Sequence, residues 1–311
     1  MKTIEGPRLW AVGWLCLGIC GGLWAEPEFT VASYNLEGYL EAPVGSRPAK
    51  PELSRAKVHE SLLTLRADVV ALQEVGSVGA LLKLRQALEQ GGLDYPHWER
   101  VAAFDTNIHV AVLSRYPLVS RRPHTNEGFL LYGRRFRVSR GFAEVEVQVH
   151  ERYRFTLITA HLKSRRETAS ADQADLREQE AIRLRRIIDA RLQARPEANL
   201  VVLGDLNDHP DSEPIRIILA RGKRHALVDT RPAEREEGAL SDPNGPTRSR
   251  RVTWTYFYAK EDVYSRIDYI LVSRGMAREW DPGGTYVLRT PDWGLGSDHR
   301  PIVARFRAVD R

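Results

Sequence analysis

The run Val201-Val202-Leu203-Gly204-Asp205-Leu206-Asn207-Asp208 sets a carboxylate and a carboxamide two residues apart at the end of an apolar stretch. Side chains alternate across a strand, so Asp205 and Asn207 share a face if the extended run continues, and Gly204 lets the backbone turn or approach a ligand. Such a pair suits phosphate and metal chemistry. Alone it reads equally well as a turn after a buried strand, because Gly, Asn and Asp are the usual turn residues. It does not stand alone. Asn35 and Glu37 follow the apolar stretch 29–34, Glu74 follows 68–73, and His161 follows 155–160. Asp268 precedes 269–272, and Asp298 with His299 precedes 301–304.

Hydrolysis of a phosphodiester requires neutralised phosphoryl oxygens, an in-line water that loses its proton, and help for the leaving alkoxide. Hard oxygen ligands suit Mg²⁺ or Mn²⁺, and Mg²⁺ takes one or two carboxylates while keeping several waters. Carboxylates, amides and histidines at six strand ends supply that inventory.

At these residues the chain resembles the endonuclease/exonuclease/phosphatase superfamily, metal-dependent phosphodiesterases that include deoxyribonuclease I, abasic-site endonucleases, neutral sphingomyelinases and inositol polyphosphate 5-phosphatases. The motifs run in order as Tyr34-Asn35-Leu36-Glu37, Gln73-Glu74-Val75, Leu113-Ser114-Arg115-Tyr116-Pro117 and Thr159-Ala160-His161-Leu162-Lys163-Ser164. Gly204-Asp205-Leu206-Asn207-Asp208, Arg266-Ile267-Asp268-Tyr269-Ile270 and Ser297-Asp298-His299-Arg300-Pro301 complete them. The resemblance implies that Glu74 is the first metal ligand, with Glu37 and Asp298 lining the same site and Asn35 helping to hold it; relatives often carry Asp in place of Glu37. It further implies that Asp205 orients or deprotonates the attacking water and that Asn207 binds the phosphate or the nucleophile. Asp268 would hold the tautomer of His299 and favour its charged form. His299 would contact the phosphate or act as acid and base, and His161 would donate to a non-bridging oxygen.

The net charge is +5, with Cys16 and Cys20 as the two cysteines. Lys2 and Arg8 against Glu5, an uncharged run over 9–25 and the small residue Ala25 read as a secretory signal over 1–25, followed by one catalytic domain over 26–311. The expected location is secreted or periplasmic, with an uncleaved N-terminal anchor as the lesser alternative. Loss of the leader removes a net +1 from +5, leaving +4 and no cysteine. A cysteine-free body excludes thiol catalysis and cysteine-ligated zinc. The arginine-rich balance favours polyanions, and Arg140, Arg165 and Arg166 are the cations expected nearest the site. Further arginines at 121–122, 134–137 and 248–251 read equally well as solvated surface.

Apolar spacing predicts helices over 51–66, 78–90 and 171–195 and strands over 109–113, 141–150, 154–161 and 200–204. In the longest helix Leu176, Ala181, Leu184, Ile188 and Leu192 form the buried stripe, with Arg183, Arg185 and Arg186 outside. The mixture of hairpins and helical crossovers implies an α/β fold, a two-sheet β-sandwich flanked by helices in four α/β/β/α layers, which is also the superfamily's architecture. The polar stretch 231–251 reads as a flexible surface loop, with a substrate lid as the alternative. Asp208 and His209 read as a turn acid and a capping or solvated imidazole, and Trp254, Tyr256 and Tyr258 as core and rim.

Three functions stay open. The first is an exported divalent-metal phosphodiesterase acting on DNA or RNA as a monomer. A phospholipid phosphodiesterase of sphingomyelinase type is the alternative, and 128–133 is the stretch that resembles the exposed apolar hairpin it would carry. A non-catalytic binding module would have lost members of the catalytic set, and none is lost.

Overall fold

A computed structural model describes residues 27–234 and 251–309. The signal expected over 1–25, both cysteines and most of the 231–251 loop lie outside the described residues. Two six-stranded sheets carry the fold. The first runs, edge to edge, through Trp280–Val287, Ile302–Arg307, Glu28–Tyr39, Val69–Val75, His109–Ser114 and His97–Val101. The second runs through Val228–Asp229, Asp268–Val272, Leu200–Asp205, Tyr153–His161, Phe142–His150 and Leu118–His124. Each has one parallel pair at its centre, Glu28–Tyr39 with Val69–Val75 and Leu200–Asp205 with Tyr153–His161.

Strands buried on both faces read as near-continuous apolar runs, and Leu200-Val201-Val202-Leu203 is one. Its alternate residues enter two cores. Val201 and Leu203 join the layer between the sheets with Phe29, Val31, Leu157 and Ile270. Leu200 and Val202 face helices α3 (Gln173–Ala194) and α4 (Glu213–Leu219). On the opposite side α1 (Glu52–Leu65) and α2 (Val78–Gln90) cover the first sheet through Val58, Leu62, Leu81 and Leu84. The order is therefore helices, sheet, sheet, helices, the expected four layers. Phe29 sits at the centre, with ring centroids 5.0 Å from Phe155 and 5.5 Å from Phe306. Each fully buried ring of this kind contributes about 1.5–3 kcal/mol.

The expected stripe of α3 is buried, but Arg185 is buried with it rather than outside. Its guanidinium donates through the two terminal nitrogens to the carbonyls of Ile218 and His225 and meets Asp189, so those nitrogens are satisfied without solvent, while Nε is buried without a partner among the described residues. In the first helix Leu53 is exposed despite its apolar side chain, and Val58 and Ser61 are among the residues that face inward. Glu144 also departs from strand alternation. It is fully buried and paired with Arg122, Arg191 and His124.

Candidate active site

Strand register assembles the site. Asp205 pairs in register with His161 on one neighbour and with Asp268 on the other, so three of the expected residues stand side by side across adjacent strands. Gly204, one residue earlier, makes this packing feasible. It sits at φ +135°, and a Cβ there would lie 2.0 Å from the carbonyl oxygen of Ala160.

The extended run stops at Asp205, and Asn207 adopts φ +55°. The two side chains meet through that turn rather than through strand alternation. Asn207 Nδ2 donates to Asp205 Oδ2 at 3.1 Å and to the Leu162 carbonyl at 3.0 Å, and the Asn207 amide donates to Asp205 Oδ1 at 2.9 Å. From the other sheet Asn35 Nδ2 donates to the same Asp205 Oδ2 at 3.0 Å. Burial, with Asp268 adding like charge, raises the Asp205 carboxyl, while His299 and these donors pull it back.

His299 is buried among three acids. Nδ1 is 2.8 Å from Asp268 Oδ2, while Nε2 lies 3.7 Å from Asp205 Oδ2 and 3.8 Å from Asp298 Oδ1. Burial opposes its charge, but Asp268 and Asp205 overcome that and hold the imidazolium well above the ordinary histidine range. The separation of 3.7 Å is too long for a direct hydrogen bond. His161 is the opposite case. Burial, the Arg140 guanidinium and His299 hold it well below the ordinary range, hence neutral, with Nε2 3.4 Å from Asp205 Oδ2 and 3.9 Å from Glu74 Oε1.

The acidic group forms beside this set. Both Glu37 and Glu74 have positive φ, +47° and +60°, where register breaks between the parallel strands Glu28–Tyr39 and Val69–Val75. Bulges re-aim side chains in this way. Glu37 is pinned by its amide to Asn35 Oδ1. Asp298 is pushed up to about 6 by burial, with Glu37 and Glu74 adding like charge. Glu37, Glu74 and Asp298, close enough for the two glutamates to act on Asp298, form a hard-oxygen donor set fit for a divalent cation. Asp205, Asp268 and His299 also bring ligand-type atoms within 4.8 Å of one another, but the hydrogen bond between Asp268 and His299 Nδ1 commits one atom of each to the pair.

Arg140 is buried against the catalytic face, donating to the Leu162 carbonyl at 2.9 Å. Arg165 is instead spent on Asp208 at 3.1 Å, and Arg166 is exposed. Asp208 and Arg177 form a buried pair at 2.7 Å, so Asp208 is the structural acid expected of it.

Four residues to which the sequence assigns no role support the site. Lys50 donates to the Glu37 carbonyl at 2.9 Å and lies 3.5 Å from its carboxylate, and Arg47 meets Glu74 at 3.6 Å; both sit in the 40–50 loop, which carries no motif. Thr255 Oγ1 donates to Asp268 Oδ2 at 2.7 Å, and Ser297 Oγ donates to the Asn35 carbonyl at 2.7 Å. The Ser297 position beside Asp298-His299 was a signal for the second. Tyr256, read as core or rim, packs its ring 4.8 Å from His299.

The fold is similar to the human Nocturnin catalytic domain with bound sulfate, 18% identical over 92% of this chain and 96% of that one, TM-score 0.59. It is also similar to sphingomyelinase C from Streptomyces griseocarneus, 20% identical over 90% of this chain and all of that one, TM-score 0.57. A Bacteroides thetaiotaomicron endonuclease/exonuclease/phosphatase family protein is 16% identical over 91% and 98% of the two chains, TM-score 0.54. No curated protein matches the chain. Residues 32–299, carrying every one of the site residues described above, match the model of the Endonuclease/Exonuclease/phosphatase family, and the chain belongs to that family.

Proposed function

We propose that the protein is an exported, divalent-metal-dependent phosphodiester hydrolase acting on nucleic acid. The observation that carries the chemistry is the separation of Asp205 Oδ2 and His299 Nε2, 3.7 Å, with each group fixed by its own partners. One water or phosphoryl oxygen can touch both. In this reading Asp205 takes a proton from the attacking water as the water oxygen bonds to phosphorus and the opposite P–O bond breaks, the leaving alkoxide departing with a proton taken from solvent water. Protonated His299, backed by Asp268, hydrogen-bonds a phosphoryl oxygen and spreads the developing charge. Neutral His161 donates to a non-bridging oxygen, and Asn35 and Asn207 hold Asp205 in aim. A divalent ion held by Glu74, Glu37 and Asp298 with Asn35 in support would neutralise phosphoryl charge when bound. Arg140 adds positive potential from behind. Export rests on the leader-like composition of 1–25.

The positive balance favours nucleic acid. A phospholipid diester is the second reading, favoured by the exposed Leu130 and Tyr132 at the hairpin Gly128–Leu131/Arg134–Arg137 and by the likeness to a sphingomyelinase C. The test presents plasmid DNA, RNA, bis-p-nitrophenyl phosphate and sphingomyelin in parallel with Mg²⁺ or Mn²⁺, using Asp205→Ala and His299→Ala as controls. Metal-dependent nicking or RNA cleavage lost in both variants supports the nuclease reading. Turnover of sphingomyelin without nucleic acid keeps the chemistry and replaces the substrate, and no turnover of any diester removes the reading.

A further inference from the structure

A concave region lies beside the catalytic face, reaching it through Ser139 and Lys163. The hairpin Gly128–Leu131/Arg134–Arg137, the 163–170 loop and the first turns of α3 enclose a cleft of about 910 Å³. Its walls bring the cations Arg135, Arg137, Lys163 and Arg183 together with Phe104 and with Phe136, whose ring stacks on Phe129 at 5.9 Å. Phe104 is two-thirds exposed, at 66%. Arg183 Nε is buried without a hydrogen-bond partner. The acid in the cleft, Glu180, offers no carboxylate to a ligand, because Oε1 accepts from the Ser139 amide and Oε2 from the Lys163 amide. Those two bonds tie the cleft wall to the catalytic groups, since Ser139 precedes Arg140 and Lys163 follows two residues after His161. Arg140 itself donates to Leu162 between them.

We propose that this cleft is a binding groove for single-stranded nucleic acid, which leads the strand to the diester site; the inference rests on the nuclease reading above and deepens it to a strand preference. Cations beside an exposed ring, here Phe104, are what unpaired bases on a phosphate backbone require, since cations follow the phosphates and the ring stacks on a base face. A duplex keeps its base faces stacked on one another and offers none to Phe104. A bilayer is met by a protruding apolar surface, not by a concave wall lined with four cations.

The experiment uses the full chain carrying Asp205→Asn, so that probe is not consumed, and a fluorescein-labelled oligothymidylate followed by anisotropy. Phe104→Ala and Arg137→Ala are each expected to weaken binding roughly tenfold, and Arg137→Ala to lower the slope of affinity against salt by about one. In the otherwise native chain neither change alters hydrolysis of bis-p-nitrophenyl phosphate, which is too small to reach the cleft. Circular dichroism confirms folding of both. Binding unchanged in both variants, equal affinity for a hybridised duplex, or capture by phosphatidylserine vesicles in place of the oligonucleotide overturns the groove. Groove-dependent binding by a chain that hydrolyses no diester upholds the groove and overturns the proposed chemistry instead.

Discussion

Asp205 Oδ2 stands 3.7 Å from His299 Nε2, each reaching the other across a gap that neither closes by a direct hydrogen bond. The carboxylate is aimed by two amides, Asn35 and Asn207, and the imidazole by Asp268. Asp205→Asn keeps shape and removes the proton acceptor. It is expected to lower diester hydrolysis by about 10²–10⁴ while thermal unfolding shifts little. A rate loss matched by a collapse in melting temperature would make Asp205 structural rather than catalytic.

Asp268 acts on His299 through the 2.8 Å contact to Nδ1 and is itself held by Thr255. Asp268→Asn removes the charge and leaves the shape. The expected results are a rate lower by about 10²–10⁴ and a titration of His299 moved downward, read from its ring proton shifts. An unmoved titration would show that Asp205 and Asp298 hold the imidazolium without Asp268.

Stability also carries the mark of His299. Its folded titration lies well above the ordinary 6.5, so its contribution is fully present below 6.5 and is lost as pH rises through the folded value. Urea midpoints in EDTA are expected to fall from neutral to alkaline buffer, and the fall to shrink in His299→Gln. An identical fall in that variant would assign the dependence to other groups.

The strands and helices were readable because the cores impose their periods, as the α3 stripe at Leu176, Ala181, Leu184, Ile188 and Leu192 illustrates. The site was readable where a motif sits at a strand end. What stayed hidden is long-range or conformational. Glu37, Glu74 and Asn207 have positive φ, a backbone state that side-chain identity alone does not announce for Glu. Lys50 and Thr255 reach the site from segments without a motif, and no spacing along the chain encodes that the Lys50 ammonium ends at the carbonyl of Glu37. Buried Arg185 and Glu144 broke the polar-outside pattern because each finds its partners on neighbouring elements.

Lys50 is a fixed cation within the acidic group. Burial lowers its ammonium and Glu37, Asp298 and Glu74 support its charge. Lys50→Met is expected to destabilise the metal-free protein by on the order of 1 kcal/mol and to make Mg²⁺ raise the melting temperature more than in the native chain. Scanning calorimetry in EDTA and in Mg²⁺ checks both. Equal Mg²⁺ effects in the two proteins would place Lys50 outside the electrostatics of the acidic group.

Asp205 and Asp208, three residues apart, are expected to give opposite phenotypes. Asp208 faces Arg177 at 2.7 Å and Arg165 at 3.1 Å, and the Arg177 side chain is 4% exposed. Removing one partner of a buried pair leaves the other charge uncompensated, which costs about 3–5 kcal/mol. Asp208→Ala should therefore lower the urea midpoint sharply, with the folded fraction retaining its turnover of a small diester, whereas Asp205→Asn loses turnover and keeps its fold. Restoring the apolar balance by Asp208→Leu with Arg177→Met should recover much of the stability, because a pair of apolar groups does not strand a charge. A folded Asp208→Ala protein with normal stability and no turnover would move Asp208 from the scaffold into the chemistry.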